Sequence, residues 1–313
     1  MTESPQITHF KRYQNYDYSR GAVEFITFHL EKRVPTFGYV SPDGIMHLSR
    51  AGEILEEVLR FEESRAEYID LMRYQIMPEH LHLRLYIHPN SPQPLKQQGQ
   101  FISNIKRWSC IKCADVGIHF TWQANFHDRL CLSREIIERV DEYISLNPMK
   151  WALMHGENPP MKVFEPLYSP LLPLDEWWSG VGNLQWISGD YPLFAIRLSR
   201  KLRLESATTI IPNIIAECYY KRLIPISTFI SPVEKMLFQQ LCQTEIPMIC
   251  VMPDTLKTIH HPRVEHTPLF SQNRLLLLSH AMNVTSRQES WLNLNEKIKQ
   301  IALVSNGQWT YLR

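Results

Sequence analysis

The sequence predicts two mixed domains: a small α+β sandwich over residues 1–160 and an α/β domain over 176–313, joined by a connector at 161–175. Three observations lead there. In the first half, strand-like and helix-like segments alternate in the order β-α-β-α-β-α, which suits helices packed against one sheet. Residues 156–178, GENPPMKVFEPLYSPLLPLDEWW, hold five prolines within fifteen positions (159, 160, 166, 170 and 173). Proline removes backbone donors and restrains its predecessor, so this stretch is extended and irregular. In the second half, short apolar strands alternate with helices, the pattern of a parallel, Rossmann-like sheet buried on both faces.

Taken in order, Ala22–Leu30 (AVEFITFHL) reads as a strand rich in β-branched and aromatic residues. Ser49–Glu63 reads as an amphipathic helix with Ile54, Leu55, Val58 and Leu59 on one face. A second strand follows in YQIMPEHLHLRLYI, residues 74–87. Lys96–Trp108 reads as a helix and Gly117–Trp122 (GIHFTW) as a strand. Ser133–Leu146 is a further helix: Ser133 suits the N-cap, Glu135 the first turn, and Pro148 limits continuation.

Beyond the connector, Leu223–Ile230 is a strand. Ser231-Pro232-Val233-Glu234 then supplies an N-cap, a proline at the first helical position and a capping-box glutamate. That helix runs to about Gln243. Ile246–Met252 and Arg274–Ser279 are strands, and Trp291–Leu303 is a closing helix. No glycine occurs between Gly189 and Gly307. A phosphate-cradling loop needs glycine for close backbone approach, so a dinucleotide or P-loop site is disfavoured here.

Bulk composition narrows the function classes. The chain of 313 residues is long enough for two cores. No apolar run reaches a membrane span, and the polar opening MTESPQITHFKRYQNYDYSRG lacks a signal-peptide block, so a cytosolic setting is expected. Six scattered cysteines do not make a disulfide framework. The Cys110–Cys113 pair lacks the second pair that a structural zinc site requires. Residues 1–160 hold 18 Lys/Arg against 20 Asp/Glu, leaving 15 against 12 of the total 33 and 32. Nucleic-acid binding would therefore need a local basic patch. Lys106, Arg107 and Lys112 offer one. Arg197, Arg200, Lys201 and Arg203 offer another, which would equally suit a solvated helix face.

Alternation in the opening of the second strand puts Leu81, Leu83, Leu85 and Ile87 on one face and His80, His82, Arg84 and Tyr86 on the other. The leucines suit a core. The two imidazoles would stand on an open face about 7 Å apart along the strand, where they could bind one divalent ion or simply be surface residues. Further on, VDEYISLNPMKW presents Tyr143 and Asn147 at i and i+4, neighbours on one helix face. A phenol beside a metal is a plausible nucleophile, and an amide oxygen a further ligand. Tyr143 also continues the apolar stripe of Ile136 and Val140, as a core aromatic would.

MPEHLHL followed by YISLNPMKW resembles the REP-associated tyrosine transposases, HUH single-tyrosine nucleases of the IS200-like transposase superfamily. YDYSRGAVEFITFHLEKRVPTFGYV, DGIMHLSRAGEILEEV and WQANFHDRLCLSREIIERVDEYISLNP are similar to further blocks of that family, in the same order, over residues ~10–155. The resemblance implies a ferredoxin-like antiparallel sheet with helices on one face. It implies Mg²⁺ or Mn²⁺ held by His80, His82 and Asn147, and Tyr143 as the nucleophile that becomes joined to a DNA 5′-phosphate. The partner would be single-stranded or hairpin DNA of the REP-like palindrome kind, with no membrane. The setting would be cytoplasmic, nucleoid-associated and bacterial. Arg84, Lys106, Arg107, Trp122 and His127 are DNA-binding candidates. Monomer and homodimer are both open. The family usually has Asn before its first histidine, where this chain has Glu79; as a strand residue Glu79 would point away from the pair. A non-catalytic hairpin-binding protein that retains the fold is the competing expectation. The second half is loosely similar to Rossmann-like DNA-processing domains, and its role is open between target-DNA binding, oligomerisation, partner recruitment and ligand sensing.

Overall fold

The computed structural model describes residues 16–155, 161–256, 260–280 and 287–312. The chain divides into two compact units, Met1–Ala152 and Leu153–Arg313. In the first, β1 (Ala22–His29) leads to the short strands β2 (Gly38–Val40) and β3 (Met46–Leu48). The helix α1 (Arg50–Arg65) follows, then β4 (Ile69–Met77), β5 (His80–Ile87), α2 (Pro94–Ala114), β6 (His127–Leu130) and α3 (Arg134–His155). β4, β5, β1 and β6 form one sheet in that order, with every neighbouring pair antiparallel. β2 and β3 make a separate hairpin.

The faces of this sheet follow the alternation of its strands. Ile26 and Phe28 of β1 and Leu81, Leu83 and Leu85 of β5 pack with Ile54, Leu55 and Leu59 of α1 and Phe101, Ile102 and Ile105 of α2. Ser49 caps α1 by accepting from the Gly52 amide at 3.3 Å. The opposite face is not left to solvent. Val23 and Phe25 pack with Cys131, Val140 and Ile144, so α3 covers it. Helices therefore lie on both faces rather than one, because the second face of β1 is itself apolar.

Three expected elements change. The 74–87 stretch is not one strand: Pro78 interrupts the ladder, and the chain turns at Pro78–Glu79 so that the end of β4 pairs antiparallel with β5. The 117–122 stretch is not a ladder strand, although its alternation is real: Ile118, Phe120 and Trp122 turn toward the core. Only an isolated bridge joins Trp122 to Leu30, with the Glu31 amide donating to the Thr121 carbonyl and the Gln123 amide to the His29 carbonyl. The edge strand comes later, at β6. Helix α3 also runs through Pro148 to His155. An interior proline costs about 3 kcal/mol through its missing N–H and a crowded carbonyl. Packing of Val140 and Ile144 beneath the helix holds its direction.

The second unit contains β7 (Trp178–Gly182), β8 (Leu193–Leu198), α4 (Ala207–Lys221), β9 (Ile224–Ser227), α5 (Pro232–Cys242), β10 (Met248–Met252), α6 (Thr267–Ser271), β11 (Leu275–His280), α7 (Arg287–Val304) and β12 (Gln308–Leu312). The sheet order is β12-β8-β9-β10-β11-β7. Neighbours are parallel from β12 to β11, and β7 is antiparallel at the edge, so the sheet is mixed rather than parallel throughout. One face buries Ala195, Ile226, Ile249 and Leu276 against Leu294, Ile298 and Ile301 of α7, with Leu167, Leu171 and Leu172 of the proline-rich stretch in the same core.

The start of α5 is closed by its own capping-box glutamate. The Glu234 carboxylate accepts from the amides of Leu198 (2.8 Å), Ile230 (2.9 Å) and Ser231 (3.1 Å). A buried side chain thus fills the place where a helix N-terminus would meet an anion. The basic cluster does not form a helix face: Arg197 is on β8, Arg200 and Lys201 lie in the turn after it, and Arg203 caps a short 3-10 turn at Leu204–Ser206.

Candidate functional site

The sheet-facing side of α3 meets the polar face of β5. Register fixes which residues stand together: β1 runs antiparallel to β5 with Thr27 opposite His82 and His29 opposite His80. Both strand histidines are buried under α3, His80 at 7% and His82 at 3% exposure, rather than standing on an open face. Their rings lean together until the centroids are 4.7 Å apart and the two Nε2 atoms 3.1 Å apart. Two neutral imidazoles so arranged either share one proton or turn both lone pairs toward one ion. The spacing matches adjacent ligands about 2.1 Å from an octahedral ion, which lie about 3 Å from each other.

Asn147 joins the cluster. It is buried at 7% exposure one helical turn beyond Tyr143, and its side chain bears on the protonation of His80, His82 and Tyr143. The Tyr143 ring stands edge-on to His82 at 5.4 Å and to Phe25 at 5.7 Å, and Phe25 stacks on His82 at 5.5 Å. Lys150 brings its Nζ to 5.7 Å from the Tyr143 ring centre. The helix is fastened over the sheet by charge: Arg84 Nε donates to Asp141 Oδ1 at 2.6 Å, and Arg73 donates to the Asp141 carbonyl at 3.0 Å and to Ser145 Oγ.

Burial sets the protonation of the site. It pushes His82 down to about 3, with the His29 charge adding to the effect and the Asn147 bond opposing it. Burial also holds His80 well below its ordinary value, aided by His82, His29 and Arg33, and lowers His29 to about 4. The histidines are therefore neutral at physiological pH and keep lone pairs for a cation. The Tyr143 phenol is raised by burial, against the Asn147 hydrogen bond, and the Lys150 ammonium is lowered by burial.

The donors fit a hard divalent ion with some tolerance for nitrogen. Among the described residues no group of three or more His, Cys, Asp or Glu side chains gathers as a metal site, so an ion here would have to be held by two imidazoles and an amide oxygen. The Thr27 hydroxyl lies 2.8 Å from His82 Nδ1 and orients the ring so that Nε2 faces His80. His80 Nδ1 is buried with no hydrogen-bond partner among the described residues.

The other expected contacts scatter. Arg84 is spent on Asp141. Lys106 turns inward, with Nζ donating to the carbonyls of Gln123 (2.8 Å) and Asn125 (3.1 Å). Trp122 is a core residue whose Nε1 donates to Ser109 Oγ at 3.0 Å. Arg107 is exposed and stacks over Trp108, and His127 is exposed with its ring 6.3 Å from His29. Glu79 occupies the two-residue turn between β4 and β5 and pairs with Arg33 at 3.0 Å. Thr27, His29 and Lys150 were not picked out from the sequence. Lys150 had a signal, lying two helical turns from Tyr143 on the same face. Thr27 and His29 had none, because their place depends on pairing register.

No protein-family model and no curated protein matches the chain. Among solved structures it is similar to the REP-associated tyrosine transposase bound to a REP hairpin, with 15% identity over 46% of this chain and 74% of that one and a TM-score of 0.34. It is also similar to a candidate transposase from Deinococcus radiodurans R1, with 15% identity over 43% of this chain and 95% of that one and a TM-score of 0.28. Among the described residues no helix is long and apolar enough to cross a membrane.

Proposed function

We propose that the first unit is a metal-dependent nuclease and strand transferase for single-stranded DNA beside hairpins, acting through Tyr143. The observation that supports this most is the buried pair of imidazoles, with Nε2 atoms 3.1 Å apart and the Tyr143 ring 5.4 Å from His82. The β-α-β-β-α-β order of β1, α1, β4, β5, α2 and β6, with the histidine strand inside the sheet, suits a ferredoxin-like domain. His80, His82 and Asn147 would hold Mg²⁺ or Mn²⁺. When bound, the ion would withdraw charge from a non-bridging phosphate oxygen.

The chain's own residues then divide the work. The Tyr143 hydroxyl attacks phosphorus: the Oη–P bond forms, the bond to the 3′ oxygen breaks, and the 5′-phosphate stays on the tyrosine as a 3′-hydroxyl departs. The phenol is protonated at neutral pH and burial raises it further, so its proton leaves as the new bond forms while the departing 3′ oxygen takes one up. Asn147, one helical turn beyond Tyr143 on α3, would help to place Oη, and the Lys150 ammonium adds positive charge beside the ring. Attack by a 3′-hydroxyl reverses the step and rejoins strands, since the covalent link conserves the bond energy. The second unit would be an accessory domain.

The test is a denaturing-gel assay of the full chain with a hairpin-bearing single-stranded oligonucleotide in Mg²⁺ or Mn²⁺. A covalent protein–DNA band is expected from the native sequence and none from Tyr143→Phe. A band that persists in the variant sinks the assignment. The closure of α3 over both histidines favours one second reading, a hairpin-binding protein without catalysis. That reading requires retained hairpin binding with no band under any divalent ion.

A further inference from the structure

The β2–β3 hairpin carries an aromatic pair that serves no core. Tyr39 and His47 are partners across the two strands, with ring centroids 4.8 Å apart and planes only 13° from parallel. Met46 and Leu48 of the same hairpin turn into the core, so alternation directs His47 and its partner outward. Tyr39 is 63% exposed.

This hairpin is fixed beside the candidate site at both ends. At its base, the Thr36 and Phe37 amides donate to the Pro78 carbonyl at 2.8 and 3.0 Å, in the turn that leads into His80. At its tip, Gly44 sits against α3 so closely that a Cβ there would come within 2.8 Å of Met149 Cα, two residues beyond Asn147. The backbone between these anchors reaches from the start of the histidine strand to the helix bearing Tyr143. Two parallel rings are held outward along that path. Such a surface suits a nucleobase, because every base has a π-face and stacking tolerates any sequence. The rings are already ordered, so little conformational freedom is lost on binding.

We propose that Tyr39 and His47 form a stacking platform for a base of the single strand that enters the Tyr143 site, an inference that rests on the nuclease reading above. The probes are a fluorescein-labelled oligothymidylate of about twelve nucleotides and an abasic oligomer of equal length, titrated with the full chain in Mg²⁺ and followed by anisotropy. The native sequence should prefer the oligothymidylate. Tyr39→Ala should weaken oligothymidylate binding about ten-fold and leave the abasic oligomer unaffected. Tyr39→Phe should keep the affinity, and His47→Ala should lose part of it. Loss toward both oligomers alike would mark a merely structural role and overturn the platform. Undiminished oligothymidylate binding by Tyr39→Ala overturns it too, as does a native chain that does not distinguish the two oligomers. The covalent band is read separately with the hairpin substrate, so failure of the platform and failure of the nuclease reading are distinguishable.

Discussion

Because the Thr27 hydroxyl lies 2.8 Å from His82 Nδ1, the ring nitrogen left to face His80 is Nε2. With a proton on Nδ1 donated to Thr27, Nε2 keeps its lone pair for a cation, a tautomer choice made outside the donor set itself. Removing that hydroxyl while keeping the volume leaves a buried nitrogen without a partner and a ring free to tilt. Thr27→Val should therefore weaken Mn²⁺ binding about 10- to 100-fold, and Thr27→Ser should restore it. Titration of free Mn²⁺ by electron paramagnetic resonance reads this without DNA. Equal affinity in the valine variant would remove Thr27 from the site's support.

At the scale of elements, α3 is the part on which the site depends, since it brings Tyr143 and Asn147 to β5. Asp141 is its main fastening: the Arg84 side chain is 12% exposed and the Asp141 side chain 28%. Truncating the carboxylate leaves a largely buried guanidinium uncompensated, so Asp141→Ala should cost about 2–3 kcal/mol of stability. A urea titration with unchanged slope would show this as a lower midpoint. Asp141→Asn, which keeps an acceptor, should lose less. Elements whose signals are local were legible: α1 from the Ser49 cap and its Ile54–Leu59 stripe, α5 from Ser231 to Glu234, and β5 from its leucine alternation. The same alternation, with i,i+4 spacing on α3, left His80, His82, Tyr143 and Asn147 open between ordinary surface or core residues and a site, and only the family resemblance gave them roles. The structure places His80, His82 and Tyr143 in contact. What stayed hidden depends on pairing. Register, which sets Thr27 opposite His82, belongs to neither strand alone. Whether an alternating segment joins a ladder depends on the backbone it meets, which is why 117–122 misled and β6 went unseen. The path of α3 past Pro148 likewise reflects tertiary packing against a local rule.

Across the whole molecule, charge is balanced at 33 basic against 32 acidic residues, so net charge supplies little attraction for DNA or self-repulsion at neutral pH. Acid sensitivity comes instead from imidazoles buried in neutral form. In the second unit His266 lies edge-on to Phe238 at 5.6 Å and near Phe270 at 6.4 Å, with Nδ1 lacking a partner among the described residues. Burial, with Arg263 and His260 adding to it, pushes this histidine from 6.5 down to about 3. The unfolded chain takes up a proton near pH 6.5 that the folded chain refuses until about 3. Folding stability is thus intact above the unfolded value and falls as pH drops through this window. At about pH 4.5, two units below the unfolded value, the loss from this one group is about 2–3 kcal/mol. His266→Phe cannot take up the proton. Its own packing cost appears at both pH values and cancels when urea-derived stabilities near pH 7 and pH 4.5 are subtracted. The native sequence should lose about 2–3 kcal/mol more across that interval than the variant. Equal losses would mean that His266 is protonated within the fold, with the Glu265 carboxylate, 3.9 Å from its Nε2, as the counter-charge.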